Sequence, residues 1–411
     1  MLRFLTAGES HGPKLTAILD GLPANIPINQ NFINNELKLR QLGYGRSARQ
    51  KIEQDIINIT GGIRFGLTTG GPICLEIENK DYQNWQDIMQ IDNLTPANKL
   101  SIANDKRQNL ASFRPGHADL AGTIKFKHSD IRNVLERASA RETAMRVAIG
   151  AVCLQFLNNL NINLTSHVKS IGTIKSNLDS SSYALAEINQ IIKTSQFQCL
   201  DLNCEIQMLD IIKQAQKQGN SLGGVIEILA DNLPIGLGSY TQWDRRIDGL
   251  LAQSIMSIQA IKAVEIGEGI NNAYLSGSKV QDAIVLDPHN AFSPIPFKTL
   301  SNKAGGIEGG MTNGQRLVIH AFMKPIPTIA QSLPTISFPD FKETTSFYER
   351  SDVCAVSSCA IICKAMVAFS LSERLLDKFA GDNFNDIKEA LESHFKYIQN
   401  LVNSVDPLQL D

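Results

Sequence analysis

Two stretches of this sequence match each other: GGIRFGLTTG at residues 61–70 and GGIEGGMTNG at residues 305–314. Four glycines, one isoleucine and one threonine recur at the same internal spacing. Each stretch has the composition of a glycine-rich turn between short strands. Glycine-rich turns can recur by chance, but this match is long, and it predicts an internal repeat.

Two shorter matches agree with this repeat. The sequence DGLP at 20–23 returns as DNLP at 231–234, and the pair ER at 136–137 returns at 349–350. All of these matches are displaced by roughly half the chain. We therefore predict two diverged halves that pack as a single body.

The predicted halves span about 1–175 and 221–380 of a single 411-residue domain. Between them, the polar segment 176–220 has a helical pattern and is predicted to be a helical insertion. The segment 383–411 is predicted to be a helical tail. Further helices are predicted at 29–41, 136–157, 247–264 and 353–379.

The composition is that of an ordinary globular protein, with 43% hydrophobic and 19% charged residues. A net charge of -2 argues against a general nucleic-acid binder. The start of the chain resembles a strand rather than a signal peptide, and the apolar run 355–371 contains Lys364, so we expect a cytoplasmic protein without a membrane span. None of the seven cysteines forms a CxxC pair, so no metal site is predicted.

Two histidines lie in loops that restrict the backbone. His11 stands between Gly8 and Gly12, directly after Glu9 and Ser10. His117 lies in RPGHAD at 114–119, where proline restricts φ and glycine permits a turn. Either loop alone is compatible with a histidine that faces water, but together they favour paired acid–base roles. Asp119 could orient the His117 ring or cap the following segment.

Arginines cluster around the same loops. In a chain with little net charge, such clusters indicate a small polyanion as ligand, because guanidinium groups bind carboxylate and phosphate through paired hydrogen bonds. Any one of them alone would more commonly form a surface ion pair. Arg137 and Arg141 are predicted to share one face of a helix. The arginines in question are Arg40, Arg46, Arg49, Arg114, Arg137, Arg141 and Arg350.

The region 305–328 has the features of a cofactor site. Backbone N–H groups of the glycine-rich stretch can approach a phosphate or a ring carbonyl. Lys324-Pro325-Ile326-Pro327-Thr328 adds a rigid, cationic turn. A nucleotide-like cofactor with a phosphate would suit both features, although neither matches the dinucleotide-binding or P-loop pattern.

Taken together, these motifs resemble the chorismate synthase family over essentially the whole chain. The segments that carry the resemblance are GESHGPKLTAILDGLPA from Gly8, RQLGYGR from Arg40, RPGHAD from Arg114, ERASARETAMRVAIGA from Glu136, GSYTQWDR from Gly238, GGIEGGMTNGQ from Gly305, KPIPT from Lys324 and RSDVCAV from Arg350. The resemblance implies an α+β fold in which helices lie between antiparallel sheets. It also implies a homotetramer.

The activity implied by the resemblance is a 1,4-elimination that converts 5-enolpyruvylshikimate 3-phosphate into chorismate with the help of reduced FMN. His11 is then expected to protonate the departing phosphate, and His117 to stabilise the charge of the flavin. Asp352 is expected to help in accepting the ring proton. The substrate anions would be bound by Ser10, Arg49, Arg114 and Arg350, while Arg40 and Arg46 match positions linked to substrate or NADPH.

The same resemblance implies a set of FMN contacts. They are Arg137, Ala138, Ser139, Gln259, Ala260, Gly309, Lys324, Pro325, Ile326, Pro327, Thr328 and Arg350. The chain departs from the family's usual residues at Ala138, Gln259, Val353 and Lys364. Two other functions remain open from the sequence: a flavin reductase that uses NADPH, and a non-catalytic module that binds anions. NADPH is the candidate reductant, and a separate flavin reductase is the alternative partner.

Overall fold

The chain forms two main antiparallel sheets with a layer of helices between them, as shown by its computed structural model. This architecture confirms the predicted α+β fold class. The structure describes residues 1–46, 54–93, 110–287, 295–347 and 351–403.

The secondary structure alternates between short strands and helices. The strands are β1 (Arg3–Ala7), β2 (Lys14–Asp20), β3 (Ala24–Pro27), β4 (Asn58–Gly61), β5 (Ile63–Arg64), β6 (Leu67–Thr69), β7 (Ile73–Glu78), β8 (Asn163–Ile171), β9 (Ile174–Lys175), β10 (Gly224–Asp231), β11 (Ile261–Ile266), β12 (Ile284–Leu286), β13 (Phe297–Thr299), β14 (Ile307–Glu308), β15 (Met311–Thr312), β16 (Leu317–Met323), β17 (Pro334–Ile336) and β18 (Glu343–Thr345). The helices are α1 (Gln30–Gln41), α2 (Asp119–Phe126), α3 (Arg132–Ala138), α4 (Thr143–Asn158), α5 (Leu185–Thr194), α6 (Leu202–Lys217), α7 (Ile247–Met256), α8 (Gly269–Asn272), α9 (Gly277–Val280), α10 (Val356–Lys378) and α11 (Phe384–Asn403).

The first sheet has the strand order β1-β2-β7-β4 and the second has β11-β16-β10-β8-β9. Side chains alternate between the two faces of a strand, so every second residue can point at the helices. In β2 these buried residues are Leu15, Ala17 and Leu19. In β16 the buried and half-buried residues alternate in the same way. The core therefore lies between the inner faces of the two sheets.

The central helices α4 and α10 fill this space. Helix α4 packs on β2 and β7 of the first sheet, whereas α10 packs on β8 and β10 of the second. The two helices approach each other closely at Gly150, where an added Cβ would overlap the backbone and side chain of Ala365. Glycine is thus required at this crossing by the distance between the helices rather than by its φ angle.

The two matching glycine-rich stretches form the same local structure. Strands β5 and β6 make a hairpin, as do β14 and β15. The Thr68 hydroxyl donates to the Pro23 carbonyl at 2.6 Å, and the Thr312 hydroxyl donates to the Pro234 carbonyl at the same distance. Each hydroxyl also accepts a backbone N–H at 2.9 Å. The repeat therefore extends to hydrogen bonds, while the division into two complete halves remains a prediction.

Two predicted helices are shorter than expected. The helix predicted at 136–157 is divided, because Ser139 has an extended backbone (φ -61°, ψ 140°) between α3 and a short 3-10 turn. The Ser139 hydroxyl accepts the N–H of Arg141 and so begins a new helical segment. The helix predicted at 247–264 ends at Met256, and the chain continues as β11.

Other helical predictions agree with the structure. Helix α1 begins after Asn29, whose side chain accepts the N–H of Asn31 at 2.8 Å. The segment 176–220 contains α5 and α6, and the tail contains α11 up to Asn403. Among the residues described, no helix is both long and apolar enough to cross a membrane.

The approach of the two central helices leads to a stability prediction. Gly150→Ala is expected to lower the free energy of unfolding by about 1–3 kcal/mol, because the new methyl group overlaps Ala365. This figure is the net loss that remains after a gain of about 1 kcal/mol in helix propensity. Urea unfolding followed by circular dichroism would measure the change. The matched control is Gly249→Ala in α7, where nothing lies within 4 Å of the added Cβ. A wild-type midpoint for Gly150→Ala would contradict the prediction.

Candidate active site

The His11 loop joins β1 to β2 at the edge of the first sheet. Gly8 has a φ of 105°, and an added Cβ there would overlap the carbonyl of Lys14. The Asn79 amide donates to the carbonyls of Glu9 at 3.2 Å and Gly12 at 2.8 Å. Both ends of the loop are therefore held by one side chain that follows β7.

The His11 ring is held by a carboxylate 125 residues away in the sequence. Glu136 accepts the His11 backbone N–H at 2.8 Å, and its two oxygens lie 2.9 and 3.0 Å from Nδ1. Arg132 donates to the same carboxylate at 3.0 Å. Burial alone would raise the pKa of Glu136, but the hydrogen bonds from His11 and the charge of Arg132 outweigh burial and lower it. Glu136 is thus an anion beside His11.

The division between α3 and α4 brings Ser139 next to the His11 loop. The Ser139 hydroxyl donates to the Ser10 hydroxyl at 3.2 Å, and Ser10 is buried. Arg137 donates to the carbonyls of Thr6 and Gly8, whereas Arg141 points to a different cluster. The prediction that Arg137 and Arg141 share one helical face is therefore wrong, because the helix is interrupted between them. Ala138 and Arg137 are exposed beside this loop.

A buried carboxylate joins two of the arginines. Asp55 lies 3.2 Å from Arg40 Nη1 and 2.6 Å from Arg141 Nη1. Arg141 also donates to Asn79, which holds the His11 loop. Burial lowers the pKa of Arg40 to about 10, although Asp55 opposes this change. Arg40 is 4% exposed, and each of its three guanidinium nitrogens already donates to a protein atom.

A second ion pair lies next to this cluster. Arg46 Nη1 is 2.9 Å from Asp352, and both side chains are largely buried. Both residues are close enough to Arg40 to act on its pKa, which Arg46 lowers and Asp352 raises. The neighbouring Ser351 donates to the carbonyl of Thr328 at 3.1 Å. This contact connects the arginine cluster to the second histidine.

His117 has a partner at each ring nitrogen. Nδ1 lies 3.2 Å from the Pro115 carbonyl and Nε2 lies 3.0 Å from the Thr328 hydroxyl. Gly116 has a φ of 75°, and its carbonyl accepts a hydrogen bond from Lys324. Burial, reinforced by the charges of Arg114 and Lys324, lowers the pKa of His117 to about 4. The ring is therefore neutral at pH 7, with Nδ1–H donating to Pro115 and Nε2 accepting from Thr328.

Asp119 does not orient His117. It forms a two-point salt bridge with Arg114, with distances of 2.8 and 2.9 Å, and also accepts the Arg114 backbone N–H. Asp119 is the first residue of α2, where a negative charge is favourable. The carboxylate thus fixes the loop that carries His117 and positions the guanidinium beside it.

The other predicted cofactor residues occupy two places. Gln259 donates to Glu142 at 3.0 Å, and the Ala260 carbonyl accepts the N–H of Lys324. Ala260 has a φ of 69°, an uncommon conformation for a residue with a side chain. Gly309 lies at the tip of the β14–β15 hairpin with open space on its Cβ side.

Some residues of the site have little or no signal in the sequence, and two predicted ones lie outside the residues that the structure describes. Glu136, Trp85 and Asp55 contact the predicted residues, but only the position of Glu136 in a repeated pair drew attention in the sequence. Two predicted substrate-binding residues, Arg49 and Arg350, lie outside the described residues. The structure therefore brings together Ser10, His11, Arg137 and Ser139 in one group, His117, Lys324 and Thr328 in another, and Arg40, Arg46 and Asp352 in a third.

The layered fold and this series of imidazole, carboxylate and guanidinium groups are typical of an enzyme that acts on an anionic small molecule. The chain belongs to the chorismate synthase family, because the family model described as chorismate synthase matches residues 2–376. The resemblance found in the motifs is thereby confirmed. Membership makes the chain a carbon–oxygen lyase of the shikimate pathway.

Curated relatives and a solved structure agree over nearly the full length. Chorismate synthase of Sulfurihydrogenibium sp. (strain YO3AOP1) is 47% identical over 408 residues, which cover 98% of this chain and 100% of that protein. Chorismate synthase of Enterococcus faecalis is 43% identical over 399 residues and covers 97% of this chain and 100% of that protein. A crystal structure of chorismate synthase superposes with a TM-score of 0.76 at 38% identity, covering 97% of this chain and 98% of that one.

The environment of His117 predicts a pH dependence of stability. Its pKa is about 4 in the folded protein and near 6.5 as an ordinary histidine, so folding favours the neutral ring. The contribution is present above pH 6.5 and is lost as the pH falls towards 4. We expect the difference in free energy of unfolding between the wild type and His117→Gln to decrease over this range in urea titrations. A difference that stays constant between pH 7 and 4.5 would contradict it.

Proposed function

We propose that the protein converts 5-enolpyruvylshikimate 3-phosphate into chorismate and inorganic phosphate, with reduced FMN as cofactor. The observation that carries this proposal is the placement of His11 on a braced loop that hydrogen bonds connect to the Asp55 arginine cluster. A proton donor beside cations is the arrangement that the departure of a phosphate requires. Membership of the family supplies the reaction class.

The substrate carries one phosphate and two carboxylates, which suit guanidinium groups. We assign Ser10, Arg46 and Arg114 to these anions, together with Arg49 and Arg350. Arg40 is more deeply buried and contributes mainly its charge. Each described arginine also has a carboxylate partner, so the site keeps its cations in position before the ligand arrives.

The elimination breaks the C–O bond to phosphate, whose oxygen keeps the electron pair, and releases one ring hydrogen as a proton. The electrons of that C–H bond remain in the product as part of the new double bond, so there is no net oxidation. We assign to His11 the role of proton donor to the departing phosphate. We assign to Asp352 a part in accepting the ring proton.

The residues proposed for FMN fit a flavin with a phosphate tail. In the described part of the chain the buried Gln259 Oε1 lacks a hydrogen-bond partner, and it lies beside the unusual backbone of Ala260. Lys324 supplies a cation, and the tip at Gly309 is open. When bound, reduced FMN supplies electron density to the substrate and is recovered at the end. The remaining proposed contacts are Arg137, Ala138, Ser139, Pro325, Ile326, Pro327, Thr328 and Arg350.

His117 is suited to a place beside this cofactor. Its ring is neutral in the protein alone, and an anion next to it would favour the protonated form. The ring could then donate a proton or a hydrogen bond towards the anion. We further propose a cytoplasmic homotetramer, with NADPH or a separate flavin reductase as the source of reduced FMN.

The proposal predicts phosphate release under anaerobic conditions. Purified protein mixed with chemically reduced FMN and 5-enolpyruvylshikimate 3-phosphate should release one phosphate per chorismate formed. Malachite-green detection and product absorbance would measure the two. The control omits reduced FMN and should release none. Flavin reduction by NADPH without any phosphate release would instead favour a flavin reductase.

Substitution of either proposed acid–base histidine is expected to lower turnover. His11→Ala and His117→Ala should each lower kcat by about 10²–10⁴-fold, the range typical of acid–base residues. Circular dichroism should show that both variants stay folded. His394→Ala is the matched control, because His394 contacts the Ile235 carbonyl from the C-terminal helix. Wild-type turnover in either active-site variant would exclude the role given to that histidine.

A further inference from the structure

Glu136, in helix α3, is a carboxylate buried inside the protein. It is 2% exposed, and both of its oxygens point at the His11 loop. One oxygen accepts the His11 backbone N–H, while both approach the ring Nδ1. Burying an ionised carboxylate is costly unless it is paired. Here the pairing is with the histidine and with Arg132.

The face of the same ring is covered by an aromatic side chain. Trp85 stacks on His11 with a centroid distance of 4.0 Å and an interplanar angle of 27°. The indole N–H of Trp85 donates to Asp81 at 3.1 Å, which fixes the plane of the indole. Arg132 lies over the Trp85 ring, 5.1 Å from its centroid. The orientation of the imidazole is therefore restricted both in its plane and on one face.

The ring has one nitrogen left for a ligand. Within the residues that the structure describes, Nε2 of His11 makes no hydrogen bond, and the His11 side chain is 15% exposed. A carboxylate at Nδ1 requires a proton on Nδ1, because an anion can only accept. Any proton on Nε2 is therefore one that the ring can give away.

We propose that Glu136, assisted by Trp85, is the residue that positions the His11 ring for the reaction. Glu136 keeps a proton on Nδ1 and stabilises the imidazolium, so that Nε2–H points at the leaving phosphate. This inference rests on the proposed function. Nε2 gives its proton to the phosphate oxygen as the C–O bond breaks, and the ring becomes the neutral Nδ1–H tautomer. Solvent then returns the proton to Nε2.

Three other charged side chains lie near the His11 ring or its partners. Glu9 lies in the same loop, Arg132 pairs with Glu136, and Asp81 holds Trp85. Of these, Glu136 alone contacts the imidazole nitrogen in the described residues. Replacing it with an amide should therefore remove the negative charge that contacts the ring.

The direct test is Glu136→Gln, assayed by phosphate release across pH. We expect kcat to fall by about 10²-fold with little change in KM. The alkaline limb of the pH–rate profile should move to lower pH, because a protonated ring would no longer face the Glu136 carboxylate at Nδ1. Glu136→Asp keeps the charge and should restore the position of that limb. An unchanged limb and a wild-type kcat in a folded Glu136→Gln would overturn the proposal.

A matched control separates positioning from stability. Glu227 is another buried carboxylate between histidines, 2.6 Å from His167 and 2.9 Å from His320, in the second sheet. Glu227→Gln should lower the unfolding midpoint without moving the pH–rate profile. A similar shift of the profile in both variants would show that loss of stability, not positioning, explains the effect.

The tautomer of the His11 ring in the wild type tests the proposal even when Glu136→Gln does not fold. In protein labelled with ¹⁵N-histidine, the His11 signals are those absent from His11→Asn. At a pH where the ring is neutral, they should report the Nδ1–H tautomer, and the opposite tautomer would refute the proposal. If the wild type releases no phosphate, the proposed function fails. If it releases phosphate but the ring is the Nε2–H tautomer, only this inference fails.

Discussion

The arrangement of the site depends on one buried carboxylate, Asp55, and the two guanidinium groups that it joins. Arg40 comes from α1, and Arg141 comes from the turn between α3 and α4. Through Arg141 the same cluster reaches Asn79, which holds the His11 loop at two carbonyls. Removing one member of such a group leaves uncompensated charge in the interior, which typically costs about 3–5 kcal/mol. The cluster thus fixes three separate segments relative to one another.

The hairpins β5–β6 and β14–β15 share one pattern of hydrogen bonds. In each, a threonine hydroxyl closes the turn onto a proline carbonyl, at Thr68 in one and Thr312 in the other. Their turns differ, because the first hairpin has Phe65 and Gly66 between its strands, whereas the second has Gly309 and Gly310. Shared backbone geometry with different side chains is what a diverged repeat would produce. The two hairpins are therefore related local structures, whereas the division of the chain into two halves stays a prediction.

The two histidines have opposite surroundings. His11 contacts an anionic carboxylate through Nδ1, while burial and nearby cations keep His117 neutral. Environments that separate the protonation of two titratable groups are how one site supplies different acid–base roles. Both rings are set by contacts made at long sequence distance: His11 by Glu136, and His117 by Thr328. These different surroundings are the basis for the different roles that we propose for the two rings.

The sequence by itself determined the local features and the family. Glycine-rich turns, the Asn29 cap of α1 and the two histidine loops depend on residues that are neighbours in the chain, so their patterns could be recognised directly. Tertiary structure alone decided that the helix predicted at 136–157 is interrupted at Ser139, that Asp119 binds Arg114 rather than His117, and that Glu136 holds His11. The physical reason is that the partner of a carboxylate depends on distance and burial in the folded chain. Neither quantity can be read from the spacing of residues in the sequence.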